Sequence, residues 1–317
     1  MIAEIREVLS LKFPKKLFKH QHIEEPIIEK PCEDTISHDL VANISYLEET
    51  FKDSVDIIYR KVKVFEGAQE IAGILVYFDS LVDIKILNEN IIKPLNLYTL
   101  PKTEESTIQR SILDRVEGIL EVNNINRVTC FKKAIESILI GSTLLLLDRF
   151  NQGFILNTMS NEGRSIEESS VEGIIRGPRD SFVENIQSNI GLVRKKLRSP
   201  SLKIKGLIIG SESHTTVSVL YMDNLVDKGV LKNLIDKLEE IQIDGIFDSG
   251  YIEQFLENSP YSPFPQMQTT ERPDKVCGNL LEGRIAILID GSPMALLLPI
   301  SFSQLLQSSE DYYERVL

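Results

Sequence analysis

Aspartates recur at the ends of apolar runs, and carboxylates placed in this way are the first candidates for chemistry. Paired carboxylates can bind a metal ion or act as general acid and general base. The residues form two matching sets, one in each half of the chain: Asp79, Asp83 and Asp148, then Asp223, Asp227 and Asp290. A catalytic pair is rarely needed twice, whereas aspartate commonly caps helices and forms turns. We therefore predict structural roles for all six residues and no metal site.

Other sequence patterns that carry catalysis are missing. The chain has no GxxxxGKS or GxxxxGKT phosphate loop, no GxGxxG after a strand, no HExxH and no GxSxG. His214 lies in the polar segment GSESHTT, away from any serine or cysteine with a partner carboxylate. Cys32, Cys130 and Cys277 lie far apart with no CxxC pair, which argues against a disulfide framework and a zinc site and fits a reducing compartment. We predict a protein that is not an enzyme and has no cofactor.

The segment between the two halves concentrates charged residues of both signs. Three glutamates precede two arginines there: Glu167, Glu168 and Glu172, then Arg176 and Arg179. Arg179 is predicted to lie in the first turn of a helix, where the helix dipole disfavours positive charge. These charges could pair across the junction and fix the two halves relative to each other. They could also contact another subunit, because arginine is enriched in interface hot spots.

A helix is predicted from about Ser181 to Arg198. Gly177 can adopt a positive φ, and Pro178 pre-sets φ for a first helical turn. Ser181 and Glu184 fit the Ser-x-x-Glu capping box. Spacings of four, four, three and four residues give one apolar stripe: Phe182, Ile186, Ile190, Val193 and Leu197. Cations favour the negative end of the dipole in the last turn: Arg194, Lys195, Lys196 and Arg198.

Composition bounds the class of protein. The chain is 42% hydrophobic and 26% charged, which is ordinary for a globular protein of 317 residues with two domains. A formal net charge of -12 argues against a nucleic-acid partner, because phosphate neutralisation needs a basic face. No apolar run reaches the roughly 18–20 residues needed to span a bilayer. The N-terminus lacks the apolar core of a secretory signal, so we expect a cytosolic location.

The second half of the chain repeats the first. VYFDSLVD, which begins at Val76, and LYMDNLVD, which begins at Leu220, are identical at five of eight positions. Further along each half, ILIGSTLLLLD and LLEGRIAILID share a glycine, an apolar run and a closing aspartate. Asn43 and Asn189 give a third, looser match. We predict an internal duplication in which each copy contains helix, strand, strand, helix, a variable region, strand and strand.

These patterns predict an α/β fold. Two similar mixed α/β lobes arise from the duplication and are joined by a connector and a helix, after a disordered N-terminal tail. The predicted boundaries are a flexible tail at 1–38, a first α/β subdomain at 39–159, a connector at 160–179, a second α/β subdomain at 180–305 and a tail at 306–317.

The connector and the following helix resemble a segment shared by the GerA family of bacterial spore germinant receptor A subunits. In that family a Glu, Arg-Gly-Pro-Arg, Phe-x-Glu, an Asn and a basic cluster recur in this order. The resemblance places the motif at Glu172, Arg176, Gly177, Pro178, Arg179, Phe182, Glu184, Asn189, Arg194 and Arg198. It covers the chain from roughly Asp39 onward and departs at Asp180-Ser181, where the family often has a small or acidic residue. We predict that the motif residues act in an interface or in signal relay.

The resemblance implies a larger membrane protein. A cytosolic N-terminal domain would precede several membrane helices, the first beginning near Leu317. The full-length protein would lie in the spore inner membrane and act with B and C subunits. It would also form a homo-oligomer, an ion channel, through the membrane half.

Two functions remain open on the sequence. The first is a non-enzymatic assembly and signal-relay module that couples nutrient sensing to ion release through a membrane channel in spore germination. The second is a small-molecule binding module, with a germinant or an ion between the two lobes, because clefts between lobes often bind ligands. The sequence has no cluster of convergent polar groups outside turns, which favours the first.

Overall fold

The computed structural model describes residues 34–97, 99–100, 108–160, 178, 180–257 and 265–300. Residues 1–33, most of the predicted connector and residues 301–317 lie outside this part of the chain. The elements of the first lobe are α1 (Leu40–Thr50), β1 (Ile57–Glu66), β2 (Gln69–Phe78), α2 (Ile84–Ile86), a π-helical segment (Leu87–Ile92), α3 (Lys93–Leu97), β3 (Thr99–Leu100), α4 (Ile108–Ile119), β4 (Ile125–Val128), α5 (Phe131–Ile140), β5 (Thr143–Leu147) and β6 (Gly153–Leu156).

The second lobe follows the same order of elements, with the single helix α7 in place of α2, the π-helical segment and α3, and, among the described residues, no counterpart of β3. Its elements are α6 (Ile186–Lys196), β7 (Leu202–Ile209), β8 (Thr215–Met222), α7 (Lys228–Glu239), α8 (Ser249–Leu256), β9 (Gln268–Thr270), α9 (Pro273–Leu281), β10 (Ile285–Ile289) and β11 (Ala295–Leu298).

The two sheets have the same topology. The strand order is β3-β1-β2-β5-β6-β4 in the first lobe and β7-β8-β10-β11-β9 in the second. Strand β3 pairs in parallel with β1 over two residues, and the other pairs in both sheets are antiparallel. Without β3 the two orders correspond strand for strand, which confirms the prediction of two similar α/β lobes.

Each sheet is covered by helices on both faces. In the second lobe, Ile285, Ile287 and Ile289 of β10 pack against α7 and α8, while Ala286 and Leu288 pack against α6 and α9. The first lobe repeats this arrangement, with α1 and α5 on one face and α3 and α4 on the other. Because neither face of the second sheet meets water at its centre, β10 is apolar throughout instead of alternating.

The predicted start of the helix after the connector is wrong. Helix α6 begins at Ile186, not near Ser181, and Asn185 caps it by accepting a hydrogen bond from the Ser188 amide. The Ser181 hydroxyl instead donates to the carbonyl oxygen of Glu271, so the predicted capping box does not form. In the first lobe, Asp83 caps the helix after β2.

The cysteine prediction is also wrong for one residue. Cys130 is disulfide-bonded, and its partner lies outside the described residues. The segment at 34–36 pairs with the start of α5, since the Ile36 amide donates to the Thr129 carbonyl and the Phe131 amide to the Asp34 carbonyl. This antiparallel pairing brings residues 34–36 next to Cys130, which is distant in sequence. Cys277 is free and buried.

Candidate functional site

Arg194 in the last turn of α6 is buried and reaches the first lobe. Its Nε lies 2.8 Å from Oδ2 of Asp56, and its Nη2 lies 2.9 Å from Oδ1 of the same carboxylate. Both side chains are 1% exposed. A bidentate arginine–carboxylate pair fixes both position and orientation. The pair therefore joins the two lobes at a defined angle.

The other N–H groups and one face of the Arg194 guanidinium also contact protein groups. Nη1 donates to the carbonyl oxygen of Leu202 at 2.9 Å, and Nη2 lies 3.4 Å from the Ser54 hydroxyl. The guanidinium carbon lies 4.3 Å from the ring centroid of Phe78, at the end of β2. A buried charge is tolerated when its donors are satisfied and its partner is close. These contacts meet that condition.

Backbone hydrogen bonds join the lobes beside this ion pair. The Val55 amide donates to the Ile204 carbonyl, and the Ile204 amide donates to the Asp53 carbonyl, both at 3.1 Å. Ser54 forms a parallel bridge to Ile204. Strand β7 is the edge of the second sheet, and an uncovered edge is prone to pair with other chains. The first lobe thus covers the edge of the second sheet.

A buried lysine extends the contact. Lys203 of β7 is 7% exposed and donates through Nζ to the Thr50 carbonyl at the end of α1, at 2.9 Å. Desolvation lowers the pKa of Lys203, and the nearby carboxylates of Asp223 and Asp53 oppose that shift. Burial and the same two carboxylates raise the pKa of Tyr221 to about 12. Charged groups of both lobes therefore lie close together around the buried Lys203.

A glycine allows α6 to approach the first lobe closely. A Cβ atom added to Gly191 would lie 2.6 Å from the carbonyl oxygen of Ser80, in the turn after β2. No side chain fits at that distance without moving the helix. Residues 53–56, Ser80, Gly191, Arg194 and the 202–204 segment define what we call the interlobe contact.

Asn189, one of the predicted motif residues, has a role within the fold. Its Oδ1 accepts a hydrogen bond from the Val183 amide at 2.8 Å, and its Nδ2 donates to the Val183 carbonyl. Asn43 makes the same pair of contacts with Ser37, again with a 2.8 Å bond to Oδ1. Both asparagines hold the chain six residues upstream. The match between these residues in sequence thus reflects a repeated structural device.

The other described motif residues lie apart from Arg194. Phe182 is buried among α6, α9 and the second sheet, and Pro178 is half-buried. Glu184 has an exposed side chain, and its carbonyl accepts from the Gly291 amide. Arg198 is exposed, with Nε donating to the Lys195 carbonyl. The rest of the motif lies outside the described residues: Glu172, Arg176, Gly177 and Arg179.

Sequence reasoning missed half of the interlobe contact. The helix pattern assigned Arg194 to the helix dipole along with its exposed neighbours, and the family motif included it among interface or relay residues. Neither argument singled out Asp56 or Lys203. In the sequence, Lys203 and Asp56 are charged residues next to apolar strand residues. This pattern is common and does not identify a partner for either residue. Gly191, in the interior of the predicted helix, was the more useful signal, because an interior glycine often marks a close approach.

The predicted structural roles of two aspartates are seen directly. Asp83 and Asp227, at equivalent places in the two lobes, each cap a helix by accepting two backbone amides. Within the described residues, no three histidine, cysteine or acidic side chains lie close enough to hold a metal ion.

Two cavities lie in the second lobe. They have volumes of about 400 Å³ and 250 Å³, and both are lined by residues between Val226 and Ile300. First-lobe residues contribute to neither.

Among the described helices, none combines the length and apolar composition that crossing a membrane requires.

Comparison with known proteins identifies relatives along most of the chain. Residues 45–317 match the family described as Bacillus/Clostridium GerA spore germination protein. Spore germination protein KA of Bacillus subtilis (strain 168) is 36% identical over 283 residues, which cover 88% of this chain and 50% of that protein. The uncharacterized membrane protein YfkQ of the same organism is 36% identical over 282 residues, covering 89% of this chain and 53% of the relative. The chain spans about half the length of these curated relatives.

A solved structure shares the fold. The crystal structure of the N-terminal domain of the A subunit of the Bacillus megaterium spore germinant receptor GerK3 matches with a TM-score of 0.63 and 27% identity. The match covers 85% of this chain and 98% of that one. None of the matched descriptions names a reaction. With a family match over residues 45–317 and the two-lobed fold of an A-subunit N-terminal domain, this chain belongs to the GerA family of spore germination proteins.

Proposed function

We propose that this chain is the N-terminal domain of a spore germinant receptor A subunit and acts as a non-enzymatic signal-relay module. It passes a nutrient signal to the rest of the full-length protein, where a membrane channel releases ions. In this proposal the full-length protein lies in the spore inner membrane with this domain on the cytosolic side. B and C subunits are its partners, and copies of the chain assemble through the membrane half.

The buried Arg194–Asp56 pair is the observation that carries this proposal. A relay passes a displacement from one part of the protein to the next. The two lobes must therefore move as one rigid unit. The interlobe contact combines a bidentate ion pair, a backbone bridge and a close helix approach. Opening it would break all three contacts together. Loss of one partner of the buried pair, with the lobes still closed, costs about 3–5 kcal/mol because the other charge stays buried without compensation.

The alternative function, a germinant or ion held between the lobes, needs room at the interlobe contact. Protein side chains fill the space around Arg194, and the two described cavities lie elsewhere. Calorimetry of this chain against amino acids, sugars and ions separates the two functions. A saturable isotherm that disappears when Asp56 is changed would favour the ligand site over the relay.

The relay is tested in spores that carry the full-length receptor. We expect Arg194→Met to slow nutrient-triggered germination strongly, because the lobes lose their fixed angle. The double variant Arg194→Met with Asp56→Leu should recover part of the response, since it removes the unpaired carboxylate. Lys132→Met, at an exposed position of α5, is the control. Normal germination by Arg194→Met spores that contain normal amounts of receptor would overturn the proposal.

The motif residues outside the described part of the chain are proposed to contact a neighbouring subunit. We expect Arg176→Ala and Arg179→Ala to abolish germination or receptor assembly, while this domain retains its circular dichroism spectrum and melting temperature. Germination at the normal rate by both variants would contradict a role in assembly or relay.

A further inference from the structure

The larger cavity opens on the surface of the second lobe, beside α7. Its apolar wall is formed by Val230 and Leu234 of α7, Leu256 of α8, and Met267, Leu298 and Pro299. The smaller cavity shares Val230 and Pro299 with it and includes Ile300. Because they share two lining residues, the cavities adjoin each other, and we call the two together the α7 groove.

Most of the described side chains that line the α7 groove are apolar. Val230 is 38% exposed, although its side chain points into a site lined by leucine, methionine and proline. Leu234 is 4%, Leu256 6% and Met267 4% exposed, so they form the floor of the groove, and Val230 with Leu298 and Pro299 forms its accessible rim. The polar members of the wall, Asn233, Lys237 and Gln266, lie among these apolar residues and leave the depression amphipathic.

The described chain reaches Ile300 at the groove. Ile300 forms part of the wall, and an extended chain advances about 3.3–3.6 Å per residue, so Phe302 begins within about 7 Å of it. The sequence SFSQLLQSSEDYYERVL places Phe302, Leu305 and Leu306 at spacings of three and one, on one side of a helical turn. Acidic residues follow at 310, 311 and 314, and the groove contributes Lys237.

We propose that residues 301–309 dock in the α7 groove, with Phe302, Leu305 and Leu306 against its apolar wall. A segment tethered at Ile300 has an effective concentration on the order of millimolar at this site. A free small molecule would have to compete with that concentration. The groove therefore takes the chain's own continuation as its occupant.

Docking would fix the direction in which the chain leaves the second lobe. If the relay function holds, displacement of this lobe would reach the following part of the protein through the groove. That consequence rests on the proposed function, whereas the docking itself does not.

Hydrogen exchange measured by mass spectrometry on the full 317-residue chain tests the docking. We expect the amides of 302–309 to exchange at least about tenfold more slowly than in a free peptide of the same sequence. Val230→Asp should remove this protection, because it places a charge in the apolar wall. Val41→Asp is the matched control, since Val41 is an exposed valine in the first turn of α1.

Cysteine trapping gives a second readout that does not depend on how Val230→Asp folds. Under mild oxidation, Asn233→Cys with Leu305→Cys should form an intramolecular disulfide in most molecules. The control pair, Ser45→Cys with Leu305→Cys, should not, because Ser45 lies at an exposed position of α1 in the first lobe.

Three results would overturn the proposal. The first is free exchange of 302–309 in the unmodified chain, and the second is protection that survives Val230→Asp. The third is a free amino acid that protects 228–237 while 302–309 exchange freely, because the groove would then be a ligand site.

Discussion

Replacing Arg194 with methionine should destabilise the whole domain and not α6 alone. The change keeps most of the apolar stem but removes two bonds to Asp56, one to the Leu202 carbonyl and the contact with the Phe78 ring. The Asp56 carboxylate then stays 1% exposed or the lobes must separate to hydrate it. Either outcome weakens the interlobe contact.

The expected loss follows from the burial of the pair. Removing one partner of a buried ion pair costs about 3–5 kcal/mol, because the other charge is left without compensation. A folded domain has a total free energy of unfolding of about 5–15 kcal/mol. A loss of about 4 kcal/mol should therefore lower the melting temperature by about 10 °C.

A double-mutant cycle with denaturant unfolding measures the pair directly. We expect Arg194→Met with Asp56→Leu to be more stable than Arg194→Met, since the second change removes the unpaired carboxylate. The coupling energy should be at least about 1 kcal/mol, as for residues in direct contact. Lys132→Met, on an exposed helix face, should change stability by less than about 0.5 kcal/mol. Additive single effects, or a loss below about 0.5 kcal/mol for Arg194→Met, would show that the ion pair does not hold the lobes together.

Three further predictions concern the repeated device, the close approach and the buried thiol. Asn189→Ala and Asn43→Ala should each lower the free energy of unfolding in urea by about 1–3 kcal/mol, because each leaves a backbone amide and carbonyl unpaired. Clearly unequal losses would contradict equivalent roles for the two asparagines. Gly191→Ala should destabilise by about 1–3 kcal/mol because its Cβ meets a backbone oxygen, whereas Gly118→Ala, with open space around it, should not destabilise. Burial raises the pKa of the Cys277 thiol to about 12, so the thiol stays protonated at about pH 8. Cys277 should therefore react with iodoacetamide only after denaturant is added. Rapid labelling of Cys277 in the native chain would refute this.

The repeat was predictable from sequence because both copies preserve the same local signals. An apolar run followed by aspartate appears in each half, and Asp83 and Asp227 cap equivalent helices. The hairpins β1–β2 and β5–β6 also follow from apolar runs separated by turn residues. Such signals lie within about ten residues of each other, which is the range over which local sequence patterns are informative.

The start of α6 was not predictable in this way. Ser181 and Glu184 have the spacing of a capping box, but the Ser181 hydroxyl bonds to Glu271, 90 residues away in sequence. A tertiary contact therefore competes with the local cap and wins. The disulfide at Cys130 was not predicted for a similar reason. Residues 34–36 pair with the start of α5, and these two segments are distant in sequence.

The sequence by itself determined the two similar lobes, the order of their elements outside the variable regions and the family, because these rest on local periodicity, repeated motifs and a long ordered motif. Only the tertiary structure decided the role of Arg194. Its sequence neighbours are exposed cations in the same helical turn, and the partner that separates it from them, Asp56, lies 138 residues earlier. Burial and pairing of a charge depend on which surfaces meet when the lobes pack, and a linear pattern of residue types does not specify that meeting.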